Sequence, residues 1–146
     1  MEHKQANSYG VIPLYKDEVG YRILIVQNSK GGHWGLPKGT PENLEVPLET
    51  AVRELYEETG VAENDIQIKT DQNFIERYSF QQDNIIYDKT NTYFIGFVEK
   101  TLVGSKLDEI NEVRWVSFSE AREILTHQSI IDVLDQVERY LESYKN

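Results

Sequence analysis

The sequence predicts an α+β fold, rich in strands, with one helix near its middle and helices at its C-terminal end. Three observations predict it. Short apolar segments of strand character recur up to Gln27 and again between Ile66 and Val116. Residues Pro47 to Thr59 carry apolar side chains at helical spacing. A second helical pattern fills Ser129 to Lys145.

The elements follow in order. Ser8 to Tyr15 reads as a strand, with Val11, Ile12 and Leu14 apolar. Asp17-Glu18-Val19-Gly20 is a turn. Tyr21 to Gln27 is a second strand, apolar enough to be central in a sheet. Asn28 to Gly32 is a loop, and His33-Trp34-Gly35-Leu36 a short extended piece. Pro37-Lys38-Gly39-Thr40-Pro41 is a loop by its Pro and Gly content. Pro47 suits a first helical turn, where its missing N–H costs nothing. Leu48, Ala51, Val52, Leu55, Tyr56 and Thr59 form the stripe expected to be buried, and Gly60 suits the left-handed position that ends a helix. Glu49, Arg53, Glu54, Glu57 and Glu58 take the other face. Ile66 to Lys69 and Phe74 to Phe80 read as strand segments, and polar Gln81 to Asp88 as a loop. Thr90 to Glu99 is a strong strand and Val113 to Val116 a short one. Ser117 or Ser119 caps the next helix, and Ile130, Ile131, Val133, Leu134, Val137, Tyr140 and Leu141 stripe the last.

At 146 residues, 39% of them hydrophobic, the chain is expected to form one globular domain. No apolar run approaches the length of a membrane span, so no membrane partner is expected. The start lacks the basic-then-apolar order of a signal peptide, and a cytoplasmic location is the expectation. With no cysteine, thiolate chemistry and disulfides are excluded. The net charge of −10 argues against tracking along a long nucleic-acid backbone. A small polyphosphate would have to meet cations or a local basic cluster.

The chemistry concentrates in Arg53-Glu54-Leu55-Tyr56-Glu57-Glu58. Glu54, Glu57 and Glu58 stand at i, i+3 and i+4, one face of a helix. Carboxylates so crowded repel each other unless a cation sits among them, and magnesium, which prefers oxygen ligands, is the natural occupant. The loop before the helix can add a backbone carbonyl, with Gly39 allowing close approach.

The full pattern resembles the signature of the Nudix hydrolases. It runs Gly39, five residues, Glu45, seven residues, then Arg53-Glu54-Leu55-x-Glu57-Glu58-x-Gly60-Val61. The resemblance implies the Nudix fold, a mixed sheet sandwiched between helices. Outside the motif, His33-Trp34-Gly35-Leu36-Pro37-Lys38-Gly39 is similar to a segment of the asymmetric diadenosine tetraphosphate hydrolases of this superfamily. So are Tyr78-Ser79-Phe80, Lys89, Tyr93-Phe94, Asp108-Glu109-Ile110 and Arg114-Trp115. One departure is Thr40, where that group usually has His. The mRNA 5′-pyrophosphohydrolases share the Trp and Pro-Lys-Gly features.

The resemblance implies the following roles. Glu57 and Glu58 bind magnesium, or manganese in its place, assisted by the Gly39 carbonyl and Glu109. Glu54 is a further ligand or the group that orients and deprotonates water. Arg53 orients the carboxylates by pairing with Glu45 or Glu58. His33, Lys38 and Lys89 contact polyphosphate, and Tyr78 stacks on the base; Trp34 reads as core. The implied reaction is hydrolysis of a dinucleoside polyphosphate, diadenosine tetraphosphate to ATP and AMP. Alternatives are pyrophosphate removal from an RNA 5′ end, sanitation of oxidised nucleoside triphosphates, and a nucleotide-sensing domain without catalysis.

Overall fold

Strand β1 (Glu2–Lys16) is the axis of the sheet in the computed structural model, which describes residues 1–144. It pairs antiparallel with β2 (Tyr21–Asn28) through Leu14–Lys16, and parallel with β6 (Ile85–Val98) through Glu2–Leu14. Two short strands, β3 (Trp34–Gly35) and β4 (Lys38–Gly39), pair with β2 and β1. β5 (Ile66–Gln82) lies outside β6, and β7 (Ile110–Ser117) pairs with β2. The path is β3-β2-β1-β6-β5, with β4 and β7 off it. One parallel pairing among antiparallel ones makes the sheet mixed.

Helices cover both faces. α1 (Pro47–Thr59) seats Ala51 and Leu55 on Val11, Leu24 and Phe94. α2 (Phe118–Ile124) and α3 (Gln128–Ser143) lie opposite, where Ile130, Val133, Leu134 and Val137 meet Ile12, Ile23, Phe74 and Ile95. A strand buried on both sides reads as an unbroken apolar run. This explains Ile23-Leu24-Ile25-Val26: Ile23 and Ile25 join one core, Leu24 the other, and Val26 is buried as well. Each such side chain, fully buried, stabilises the fold by about 1.5–3 kcal/mol. The expected sandwich of helices around a mixed sheet is the architecture found. Among the described residues no helix is long and apolar enough to cross a membrane.

Several boundaries differ from expectation. Gln81–Asp88 is not a loop. β5 and β6 continue through it and turn at Asp83-Asn84, with Gln82 opposite Ile85. Asp83 takes the positive φ, 57°, that so tight a turn requires. β1 likewise begins at Glu2, and its first residues pair with Ile85–Thr90. These segments form a wing beyond the helices. Without a buried face they lack the apolar alternation that marks a strand, and cross-strand pairing defines them instead. The two segments foreseen at residues 66–80 are one strand with an irregularity between Lys69 and Phe74.

α1 also differs in its facing. Tyr56 is exposed whereas Glu58 is buried. Ser117, not Ser119, caps α2: its hydroxyl accepts from the Glu120 N–H, and Glu120 reaches back to the Ser117 N–H. Lys145, assigned to the last helix by the sequence, lies outside the described residues.

Candidate active site

The site starts where β1 lets another backbone come close. A Cβ on Gly10 would stand 2.1 Å from the Pro37 carbonyl oxygen and 2.9 Å from Lys38 Cβ. Only glycine allows β4 to lie against β1 there. The same economy recurs at Gly39, where a Cβ would stand 2.1 Å from the Glu54 carboxylate. The loop backbone and the α1 carboxylate are thereby in contact.

α1 is fixed at both ends. The Val46 N–H donates to Glu49 (2.9 Å), and Gly60, at φ 80°, donates its N–H to the Tyr56 carbonyl (2.8 Å). The segment between β6 and β7 closes over the C-terminal end: the Lys106 N–H meets the Glu57 carbonyl and the Gly104 N–H that of Thr59, both at 2.8 Å.

Arg53 organises the acids. Its guanidinium donates twice to Glu45 (2.7 and 3.0 Å), once to Glu54 (3.0 Å), once to Glu57 (3.1 Å) and once to the Thr40 carbonyl (3.0 Å). Of its two foreseen partners it takes Glu45. Glu58 is not among its hydrogen-bond partners, because that side chain turns inward beneath the helix. The Arg53 hydrogen bonds, then the Glu42 N–H, hold the Glu45 carboxyl down at about 2.

Glu58 behaves oppositely. Burial pushes its carboxyl up to about 9, followed by a hydrogen bond to Glu54 and repulsion from its charge; Lys38 opposes the shift. The carboxylates thus form two groups, Glu54 with Glu58 through a shared proton, and Glu45, Glu54 and Glu57 around Arg53. Among the described residues no three acidic or histidine side chains converge on one point. The donor chemistry still suits a hard cation. Glu54, Glu57, Glu58 and the Gly39 carbonyl offer only oxygen, and a divalent ion would replace the proton held between Glu54 and Glu58. Glu109 is exposed. It lies three residues from Lys106, within roughly 10 Å of extended chain, and its carbonyl accepts the Ser29 N–H.

Beside the acids stands a basic cluster. Lys38 sits close enough to Glu58 and to Lys89 to influence the charge of each. Burial, then the neighbouring Lys38 cation, hold the Lys89 ammonium below the usual lysine range. Its Nζ donates to the Ser8 hydroxyl at 2.6 Å. Among the described residues neither lysine has a carboxylate within ion-pair distance. Tyr78 is directly across from Lys89 in the β5–β6 ladder. Burial, then the Glu76 charge, raise its phenol.

The structure therefore brings Lys38, Lys89 and Tyr78 together. His33 is exposed on a turn held by Gly31 and Gly32 at positive φ, with no side-chain hydrogen bond to that group. Trp34 packs against the core, with Arg114 over its ring at 4.6 Å.

Sequence reasoning missed five supporting residues. Ser8 and Gly10 lie one pleat apart on β1. Glu76 and Asn91 pair inside the sheet face at 2.9 Å, and the Ser129 hydroxyl at the start of α3 donates to Glu76 at 2.6 Å. A lone Glu or Asn in a strand segment gives no signal for such a contact, since its partners are distant in the chain.

The family model for the NUDIX domain matches residues 4–137. The mRNA-decapping protein g5R of African swine fever virus is 28% identical over 141 residues, 88% of this chain and 56% of the viral protein. The asymmetrical bis(5′-nucleosyl)-tetraphosphatase of Sus scrofa is 28% identical over 129 residues, 86% of this chain and 84% of that enzyme. The RNA pyrophosphohydrolase of Bartonella tribocorum is 33% identical over 98 residues, 65% of this chain and 55% of its own. This chain thus spans only 56% and 55% of the viral and bacterial proteins but most of the pig enzyme. Among solved structures, a binary complex of the C. elegans Ap4A hydrolase superposes with a TM-score of 0.85 at 20% identity, covering 94% of this chain and 98% of that one, a likeness of fold. With the family model spanning nearly all of the chain, and with the acidic helix, its arginine and the glycine loop assembled as described, this protein belongs to the Nudix family.

Proposed function

We propose that this chain is a divalent-metal-dependent hydrolase of nucleoside polyphosphates, with diadenosine tetraphosphate cleaved to ATP and AMP as the favoured reaction. One observation carries the reading. Lys38 lies beside the α1 carboxylate of Glu58 and close to Lys89, and among the described residues neither lysine is ion-paired, in a protein of net charge −10. Cations and carboxylates so arranged suit a ligand that is polyanionic and arrives with metal. The acidic helix alone would repel phosphate. Support for the dinucleotide comes from the pig relative, of which this chain covers 84%.

The parts act as follows. Glu57 and Glu58 would hold magnesium, or manganese, with the Gly39 carbonyl and Glu109. Such an ion neutralises phosphate charge and lowers the pKa of its bound water. Arg53 keeps Glu54 and Glu57 in place while Glu45 takes the other side of its guanidinium. Glu54 ligates or accepts the water's proton. Lys38, Lys89 and His33 stabilise charge on the phosphates as the anhydride bond breaks. Tyr78 stacks on the first base. A cytoplasmic location belongs to the same proposal, supported by the absence of cysteine.

The test is product analysis by ion-exchange chromatography, with magnesium, on diadenosine tetraphosphate. Equal ATP and AMP are expected, and Glu54→Gln should lower turnover by at least about 100-fold, the scale of lost acid–base assistance. Two ADP would overturn the cleavage position. Nucleotide binding without turnover under any divalent cation would overturn the enzyme.

A further inference from the structure

Next to Tyr78 and Lys89 runs a buried polar row that the chemistry above does not use. Side chains two residues apart on a strand share a face. Glu76 lies two residues before Tyr78 on β5, and Asn91 two residues after Lys89 on β6. The two are directly opposite in the ladder, so all four side chains share one face. Ser8 of β1 is the partner of Asn91 on its other side. Asn91 is 1% exposed and Glu76 7%. A polar row this deep is costly unless its atoms are paired.

The pairing leaves out a single atom. The Asn91 amide donates to one Glu76 carboxylate oxygen at 2.9 Å, and the Ser129 hydroxyl donates to the other at 2.6 Å. The Ser8 hydroxyl accepts from Lys89. The Asn91 carbonyl oxygen is the one buried side-chain polar atom without a hydrogen-bond partner among the described residues. Turning the amide over would not cure this. The carbonyl would then face the Glu76 carboxylate, acceptor against acceptor, and the NH2 group would lose its partner. Glu76 thus locks the amide with its oxygen open. Nearly all buried acceptors in folded proteins are paired, and one held open so firmly suits a donor brought by a ligand.

The position of the row says which donor. With phosphates at Lys38 and Lys89 and a base on Tyr78, a nucleotide's sugar bridges Lys89 and Tyr78. Outward of that pair the face is aromatic: Phe80 stacks on Tyr87, directly opposite it, at 5.2 Å, and lies 6.2 Å from Tyr78. Inward of the pair stands the Asn91–Glu76 row. The Tyr78 phenol is close enough to feel both the Glu76 charge and the Asn91 amide. Sugar hydroxyls on this face therefore meet rings on one side and open acceptors on the other.

We propose that the Asn91 carbonyl oxygen accepts a ribose hydroxyl and selects ribonucleotides over deoxyribonucleotides. The inference rests on the hydrolase reading above and narrows its substrate class. Tyr78, 41% exposed, and Lys89, half-buried, are the outer neighbours of the amide. A ligand that draws Lys89 off Ser8 to a phosphate, and Tyr78 onto a base, opens the way to it. Glu76 is the positioning residue, holding the amide while Ser129 holds Glu76. A site built around a substrate hydroxyl rejects an analogue that lacks it, because the acceptor then stays unpaired.

Two measurements on the whole protein test this. The first is kcat/KM for diadenosine tetraphosphate against its 2′-deoxy and 3′-deoxy analogues. The second is calorimetric binding of ATP, 2′-deoxy-ATP and 3′-deoxy-ATP. One of the two deoxy forms should be disfavoured roughly tenfold in both, the scale of one hydrogen bond to an otherwise unpaired acceptor. Asn91→Val should bring that ratio close to one, by weakening the ribose form and sparing the deoxy form. Ser129→Ala, which cuts the tie to α3, should lower Tm and keep the ratio. Wild-type protein that treats all three sugars alike would overturn the proposal and leave the hydrolase intact. Binding that prefers ribose through Asn91, in a protein that hydrolyses nothing, would support the proposal and overturn the hydrolase. A ratio lost equally in Asn91→Val and Ser129→Ala would show that the row acts through packing, and would overturn the direct contact.

Discussion

Glu58→Gln offers a test of the site that needs no substrate. Glu58 is 7% exposed, and burial, the Glu54 contact and Glu54's charge place its carboxyl at about 9 against an ordinary 4.5. The folded, metal-free protein therefore keeps this proton at neutral pH, whereas the unfolded chain has released it. Between those two values the folded state binds the extra proton, so stability is full below pH 4.5 and declines until pH 9. Glutamine has the shape of the protonated acid and never ionises. It can still accept the Lys38 N–H and donate to Glu54. At pH 7 the wild type has crossed over half of that window. At 1.36 kcal/mol per pH unit, the variant should be more stable by on the order of 3 kcal/mol. For a chain of this size that raises Tm by roughly 5–10 °C.

The assay is thermal unfolding by circular dichroism in chelator, from pH 5 to 9. The two proteins should agree at pH 5 and diverge as pH rises. Magnesium should then stabilise the wild type, which exchanges the proton for the ion, and should stabilise the variant less. A variant less stable than wild type at pH 8, or parallel pH profiles, would refute the reasoning. Such a result would mean that Glu58 is ionised in the folded protein and finds its counter-charge elsewhere.

Two further predictions concern the scaffold. Arg53→Lys keeps the charge but cannot serve Glu45, Glu54, Glu57 and the Thr40 carbonyl together; kcat should fall by 100-fold or more, about 3 kcal/mol in the barrier, with circular dichroism unchanged. Retained activity would show that the carboxylates do not depend on its fork. Gly10→Ala drives a methyl group into the Pro37 carbonyl and Lys38, so β4 must move; urea denaturation should show a loss of about 1–3 kcal/mol, and magnesium affinity should weaken as Gly39 shifts. A neutral result in both would mean that β4 is not positioned by its contact with β1.

The acidic helix was legible in the chain because its information is local. Pro47, the apolar spacing, Gly60 and the i, i+3, i+4 glutamates each act through neighbours about one helical turn away. β2 was legible because burial on two faces leaves an unbroken apolar run. The family pattern, joining Gly39 to Val61, is local as well. It implied the fold and the acids, and the Arg53–Glu45 pairing falls inside it.

What the tertiary structure decided lies between residues distant in sequence. Ser8 meets Lys89 across 81 positions, and Ser129 reaches Glu76 across 53. No periodicity encodes those contacts. The inward turn of Glu58, and with it the raised carboxyl, comes from how α1 seats on the sheet; helical spacing alone placed that residue on the face opposite the apolar stripe. The wing escaped for a related reason. Gln81–Asp88 has no buried residue and no apolar alternation, so its strand state is set by backbone pairing with β1 and by the turn at Asp83. Only when those strands are paired do Tyr78, Phe80 and Tyr87 become a single row. Local chain chemistry thus determined which carboxylates and cations are available on the acidic helix and its loop, and packing determined their protonation, their partners and the alignment of Tyr78, Phe80 and Tyr87.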